Sequence, residues 1–181
     1  MFKKIWDIYK IQILVTVALI IVIISTNVVR SPLAVFLIVL GALLGTFVLD
    51  LDYVVYAFFL EPEKPFSVNL KGFIEHKDLS GALNHIYYNK EEVKEKTLNS
   101  VLFQIALAGT TVFVAASSSS LLMKALIISA FANSIYKMAD YYFDGKSEQW
   151  FWALKKLPTE NGILVYGLVL VLVLVYSLTI F

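Results

Sequence analysis

Apolar residues run almost without interruption through five stretches of the chain, and the polar residues are gathered between them. The stretches are 11–29, 33–55, 98–116, 121–143 and 163–181. Each is close to the ~20 residues that a helix needs to cross a bilayer. Valine and leucine alternate in the last stretch, as in a strand, but all-apolar composition over this length favours a membrane helix. Lysines precede the first stretch, as in a signal peptide. The run is longer than a typical signal core and no small-x-small cleavage site follows before Arg30, so a retained span is expected. The pattern therefore predicts an all-α integral membrane protein, one membrane domain over 1–181, with about five transmembrane helices and amphipathic interfacial helices.

The intervening segments punctuate this plan. Arg30-Ser31-Pro32 predicts a tight turn, with Pro32 in the first turn of the second helix, where its missing N–H costs nothing. Gly41 and Gly45 are spaced for close helix packing, and their face is a candidate contact for a second copy or a membrane partner. Tyr53, Tyr56, Phe58 and Phe59 read as an aromatic belt where this helix leaves the bilayer. The loop 61–96 carries Phe66, Leu70, Phe73 and Ile74, then Leu79, Ala82, Leu83, Ile86 and Tyr87, at helical spacing. That predicts two short amphipathic helices along the membrane surface, followed by a charged turn from Lys90 to Lys96. A hairpin is expected at Ser117–Ser120, and a second interfacial segment over 146–162 with Trp150, Phe151 and Trp152.

Composition agrees: 59% of the 181 residues are hydrophobic, 16% are charged, and mean hydropathy is +0.77. A net charge of +1 provides no field for nucleic acid, and without cysteine there are no disulfides or thiolate metal sites. Of the 15 lysines and arginines, all but Arg30 and Lys124 fall on one side of the predicted membrane. The positive-inside rule makes that side cytoplasmic. The expected placement is a multi-pass protein of the cell (inner) membrane, N-terminus inside and C-terminus outside. No internal repeat supports a transporter built from inverted halves.

In that topology the polar residues share one depth. Asp50 and Asp52 end the second span, Thr97, Asn99, Ser100 and Gln104 start the third, and Asn133, Tyr136, Lys137, Asp140 and Asp144 share a face late in the fourth. Asp50, Asp52 and Asp140 are candidate ligands of a divalent cation, and oxygen donors suit magnesium or manganese better than zinc. Asn99 and Gln104 would then orient water or substrate, and Lys137 would steady an anionic group. Structural readings stand beside these. On a regular helix Asp50 and Asp52 point ~200° apart, so both reach one site only if the helix breaks. Lys137 is alternatively an ion-pair partner of Asp50 or Asp140, Asn99 a helix N-cap, and Gln104 a hydrogen-bonding group to a neighbouring helix. His76 and His85 read as solvated surface histidines.

Residues 41–53, Gly-Ala-Leu-Leu-Gly-Thr-Phe-Val-Leu-Asp-Leu-Asp-Tyr, resemble the Gly-rich, Pro-Asp-x-Asp-His segment of the membrane-bound metal-dependent hydrolases, the YdjM-like family. Thr97-Leu98-Asn99-Ser100-Val101-Leu102-Phe103 is similar to that family's Thr-His-Ser-Leu-Leu-Phe segment, and Tyr136 to Asp140 with Gly145 to its His-x-x-x-Asp…Gly segment. The resemblance covers roughly 41–145. The positions of the family's first proline and its histidines are held here by Leu49, Tyr53, Asn99 and Tyr136, and its early histidine has no counterpart in the first span. The resemblance thus implies either a harder cation on the remaining aspartates or a degenerate, non-catalytic relative. Three readings follow: a non-catalytic membrane protein, a metal-dependent hydrolase acting on a membrane-associated phosphate or acyl substrate, and a small transporter component with Gln104, Asn133 and Lys137 along its path.

Overall fold

The computed structural model describes residues 2–27, 30–89, 92–93 and 96–181, with side chains from Tyr9 onward. Among the described residues the fold is all-α and contains no strand. Its elements are α1 (Phe2–Thr26), α2 (Pro32–Val48), α3 (Leu51–Val55) continuing into a π-turn (Tyr56–Leu60), α4 (Pro65–Glu75), α5 (Leu79–Asn89), α6 (Val101–Ser117), α7 (Leu121–Phe143), the short α8 (Ser147–Trp150) and α9 (Glu160–Thr179). Lys3 and Lys4, which precede the first stretch, have side chains outside the described set, and Lys90 and Lys94 of the charged turn lie outside it altogether.

Among the described residues, three helices are long and apolar enough to cross a membrane: α1 from Tyr9, α7 and α9. A fourth crossing exists if α2 and the 51–60 segment, bent by 46°, count as one span. The expected third span is realised as α6, apolar but only 17 residues long. It starts at Val101 because residues 97–100 are held in an irregular segment. The outward faces of these helices are apolar; on α9, Leu164, Val165, Leu168 and Leu172 all stand exposed. So large an exposed apolar surface is unusual in a water-soluble monomer and fits a membrane protein.

The hub is α7. Over half of its span is buried inside the protein, against about a fifth for α1 and α9. One face carries Ala125, Ile128 and Ala132 against Leu19 and Ile23 of α1 and Ile38 and Ala42 of α2. Another carries Phe131 and Met138 against Val101, Trp150, Phe151, Ile163 and Leu170. A third cluster, Tyr53, Tyr56, Phe66, Leu70 and Ala82, seats α4 and α5 on the π-turn. The Gly41/Gly45 face is filled by α7 of the same chain: a Cβ on Gly41 would come within 2.3 Å of the Leu122 carbonyl oxygen, and one on Gly45 within 2.2 Å of that of Leu126. This face is thus closed within the chain instead of standing open to a partner.

The two amphipathic helices form where the apolar spacing places them. Pro65 starts α4, Lys77 turns the chain with φ 58°, and the Asp78 carboxylate accepts the Gly81 N–H (2.8 Å) to start α5. His85 departs from its solvated reading. It lies over the Phe66 ring (4.9 Å), bonds the Phe66 carbonyl (3.0 Å) and meets Asn89 (3.0 Å), so it pins α5 to α4, whereas His76 is exposed.

Candidate functional site

The site begins where the second apolar helix breaks. No proline or glycine lies at residues 46–52, so the cause is not a backbone residue type. The Leu49 carbonyl accepts a hydrogen bond from the Asn99 Nδ2 (2.9 Å), and the neighbouring backbone tightens to three-residue bonds, Asp50 N–H to Phe47 O and Tyr53 N–H to Asp50 O. A side chain inserted into the helical ladder is a recognised origin of a sharp bend.

The break sends the two aspartates to different partners. Asp52 is fully buried. One carboxylate oxygen accepts the Thr97 N–H (2.9 Å); the other accepts the Asn99 N–H (2.9 Å) and the Asn99 Nδ2–H (2.9 Å). Asp52 is therefore a latch that organises the segment leading into α6. The N-cap of α6 is Ser100, whose Oγ accepts the Phe103 N–H, and not Asn99. Asp50 pairs with Lys137 of α7 through its Oδ1 (2.7 Å), with both side chains mostly buried. Of the partners foreseen for Lys137, the structure selects Asp50.

Asp50, Asp52 and Asp140 are consequently not brought together. Among the described residues, no group of three histidine, cysteine or acidic side chains is placed to hold a metal ion. The donor set fits poorly with the ion that the family resemblance implies: both Asp52 oxygens already accept N–H donors, and an ammonium sits on Asp50. Gln104 does not face this site. Its side-chain oxygen accepts the Trp150 indole N–H (3.1 Å) and the Tyr166 hydroxyl (3.0 Å), which ties α6 to α8 and α9. That bond also explains why Trp150 is fully buried instead of anchoring at the interface. Asp144 is exposed and lies 3.7 Å from Lys146.

What does converge is a cleft of about 150 Å³ at one end of the α1/α2/α7 bundle. Asp50, Tyr53, Asn99, Tyr136, Lys137 and Asp140 line it, together with Tyr9 and Gln12 of α1. Leu83, Ile86 and Tyr87 of α5 line it as well. Sequence reasoning reached the α2, α6 and α7 residues and missed the α1 wall. The available signal was the Gln12 and Thr16 pair, two polar residues one turn apart in an otherwise apolar run.

Deeper in the bundle, Asn133 belongs to a separate network. Its Nδ2 donates to Thr16 Oγ1 (3.0 Å) and to the Ser129 carbonyl (2.9 Å). Thr46 donates to the Ala42 carbonyl (3.0 Å), so in the Thr16–Thr46 contact (2.7 Å) Thr16 is the donor. Ser129 donates to the same Ala42 carbonyl (2.7 Å). Every hydroxyl proton of Thr16, Thr46 and Ser129 is engaged, which makes this a one-way bonded joint of α1, α2 and α7. Substituting Thr16→Val should lower stability by only about 0.6 kcal/mol, the typical value of an interhelical hydrogen bond in a membrane. Asn133→Leu should cost more, because it also forces a branched side chain into a fully buried position. Unfolding in a mixed-micelle denaturant series would measure both.

No protein-family model matches the sequence, and comparisons with curated proteins and with solved structures find no match.

Proposed function

We propose that this chain is a non-catalytic polytopic membrane protein whose carboxylate cluster is a structural latch, a degenerate relative of the membrane-bound metal-dependent hydrolases. The observation that carries this reading is the engagement of Asp52 by three N–H donors of the chain and of Asp50 by Lys137. A catalytic metal ligand needs free lone pairs, and a latch needs the opposite. In this reading the bent α2–α3 pair is one span and α6 another, which makes five. The lysine and arginine distribution supports a cytoplasmic N-terminus, an outer C-terminus and the cell membrane as location.

The test is a double-mutant cycle on Asp50 and Lys137, run with and without magnesium, manganese, calcium and zinc. Lys137→Met should destabilise by about 3 kcal/mol, the lower end for a mostly buried pair, because it leaves a buried carboxylate unpaired. Adding Asp50→Asn should restore much of that loss, and no ion should raise the unfolding midpoint of the wild type. An ion that stabilises the wild type but not Asp50→Asn would bind the native site by mass action and return the chain to the hydrolase reading.

A further inference from the structure

We infer that the cleft between α1, α2 and α7 binds a primary ammonium group. Three of its lining residues carry a buried oxygen that no hydrogen bond of ordinary length satisfies among the described residues, Gln12 Oε1, Asp50 Oδ2 and Asn99 Oδ1, and of these only the Asp50 carboxylate has a hydroxyl beside it, that of Tyr9. They come from three separate parts of the chain: α1, the break after α2, and the segment before α6. Asn99 is 3% exposed, and its amide orientation is fixed because Nδ2 is engaged by Leu49 and Asp52. Its Oδ1 is therefore an acceptor that the fold holds in place and leaves unpaired. Buried polar atoms are paired in the great majority of cases, so the Gln12 and Asn99 oxygens beside the Asp50 carboxylate call for a donor from outside the chain.

Charge and donor number select the guest. The lining has two carboxylates, Asp50 and Asp140, against one ammonium, Lys137, which leaves one negative charge. That balances one monovalent cation. A primary ammonium brings three N–H donors for three acceptors. A quaternary ammonium brings none. A divalent ion takes six or more oxygens and would sit beside the Lys137 ammonium, itself 2.7 Å from Asp50. Tyr9, Tyr53 and Tyr136 add aromatic surface, which attracts cations. About 150 Å³ has room for a small amine. The three oxygens are closed off as the side chains stand. Gln12 makes no hydrogen bond among the described residues and is the side chain that turns to admit the guest.

The ligand chemistry stands on the cleft alone. Only one of its two sources, a lipid ethanolamine headgroup as opposed to a free amine, rests on the membrane reading of the chain. The test uses the full chain purified in maltoside detergent, with labelled ethanolamine as the binding probe and the unfolding midpoint as a second readout. Saturable ethanolamine binding with a raised midpoint is expected. Gln12→Leu should keep the ligand-free midpoint, since the oxygen it removes is unpaired, yet bind ethanolamine about 10-fold more weakly, the value of one charge-assisted hydrogen bond. Asp140→Asn should weaken binding by a similar factor through the lost charge. A midpoint that is higher in phosphatidylethanolamine than in phosphatidylcholine nanodiscs identifies the headgroup as the source; ethanolamine binding without that difference identifies a free amine. Equal binding of tetramethylammonium, a response to magnesium or manganese instead of ethanolamine, no ethanolamine binding at all, or unchanged affinity in both variants would overturn the proposal.

Discussion

Replacing Asp52 with alanine should lower the stability of the protein by about 3 kcal/mol or more and loosen the start of α6 before anything else. The magnitude follows from what the carboxylate holds. Thr97 N–H, Asn99 N–H and Asn99 Nδ2–H all donate to it in a fully buried setting, and alanine orphans all three at once. Each unsatisfied buried donor costs about 1–3 kcal/mol, with some of that recovered by relaxation or water. For a chain of this size the unfolding midpoint should fall by roughly 6–12 °C. Asp52→Asn is the sharper variant. It has the same shape, but only one of its two terminal atoms accepts, so either the Thr97 or the Asn99 donors are left facing an amide. A drop of about half that of alanine is expected. Amide hydrogen exchange should show the first lost protection in Thr97 to Phe103, because the carboxylate bonds the backbone of that segment directly. Retained protection there, with a midpoint loss spread evenly over the molecule, would mean that the carboxylate acts through charge and not through these bonds.

That latch shows where the sequence was legible and where it was not. The fourth apolar stretch, 121–143, is α7 at the same bounds, and Ser120 caps it through the Met123 N–H. A long periodic stretch with a capping residue before it is read well from local pattern. The break after Val48 was not foreseen. Its cause is the Asn99 amide, 50 positions along the chain. Asn99 is itself an instructive case. Asn99 and Ser100 are both good capping types, and the choice between them is made by Asp52, which takes the asparagine and leaves the serine to cap. Gln104 and Trp150 are a second case. A glutamine on a polar stripe and a tryptophan in an interfacial run each have an ordinary local meaning, and only the packing of α6 on α8 and α9 joins them. Depth and opposite charge made Lys137 legible as an ion-pair partner of Asp50 or Asp140, and the packing of α7 beside the break chooses Asp50. The α1 wall of the cleft was not, because Tyr9 and Gln12 acquire meaning only once α1 lies beside the break.

The second large effect concerns the two glycines of α2. Gly45→Leu should abolish folding, and Gly45→Ala should destabilise by about 3 kcal/mol, the upper part of the range for overpacking. The reason is what the new Cβ meets. At Gly45 it would lie 2.2 Å from the Leu126 carbonyl oxygen and 3.0 Å from the Ala130 nitrogen, both backbone atoms of α7. A side chain in the way can rotate, but a helix backbone can only withdraw. Withdrawal of α7 would also stretch the Ser129 to Ala42 bond (2.7 Å) and the Lys137–Asp50 pair, so the damage should spread to the latch. Gly41→Ala should behave similarly, with its Cβ 2.3 Å from the Leu122 oxygen. Gly109 of α6 is the control: nothing lies within 4 Å of its Cβ, and alanine there should stabilise by about 0.5–1 kcal/mol through helix propensity alone. The same series decides what the glycine face is for. If Gly45→Leu instead left a folded, unlinked monomer and dissociated an oligomer in size-exclusion chromatography, the face would be intermolecular and the α2–α7 packing would have to be replaced. Loss of the folded monomer itself is the expected result, because a helix that approaches to backbone contact within its own chain has no second face of glycines left to offer.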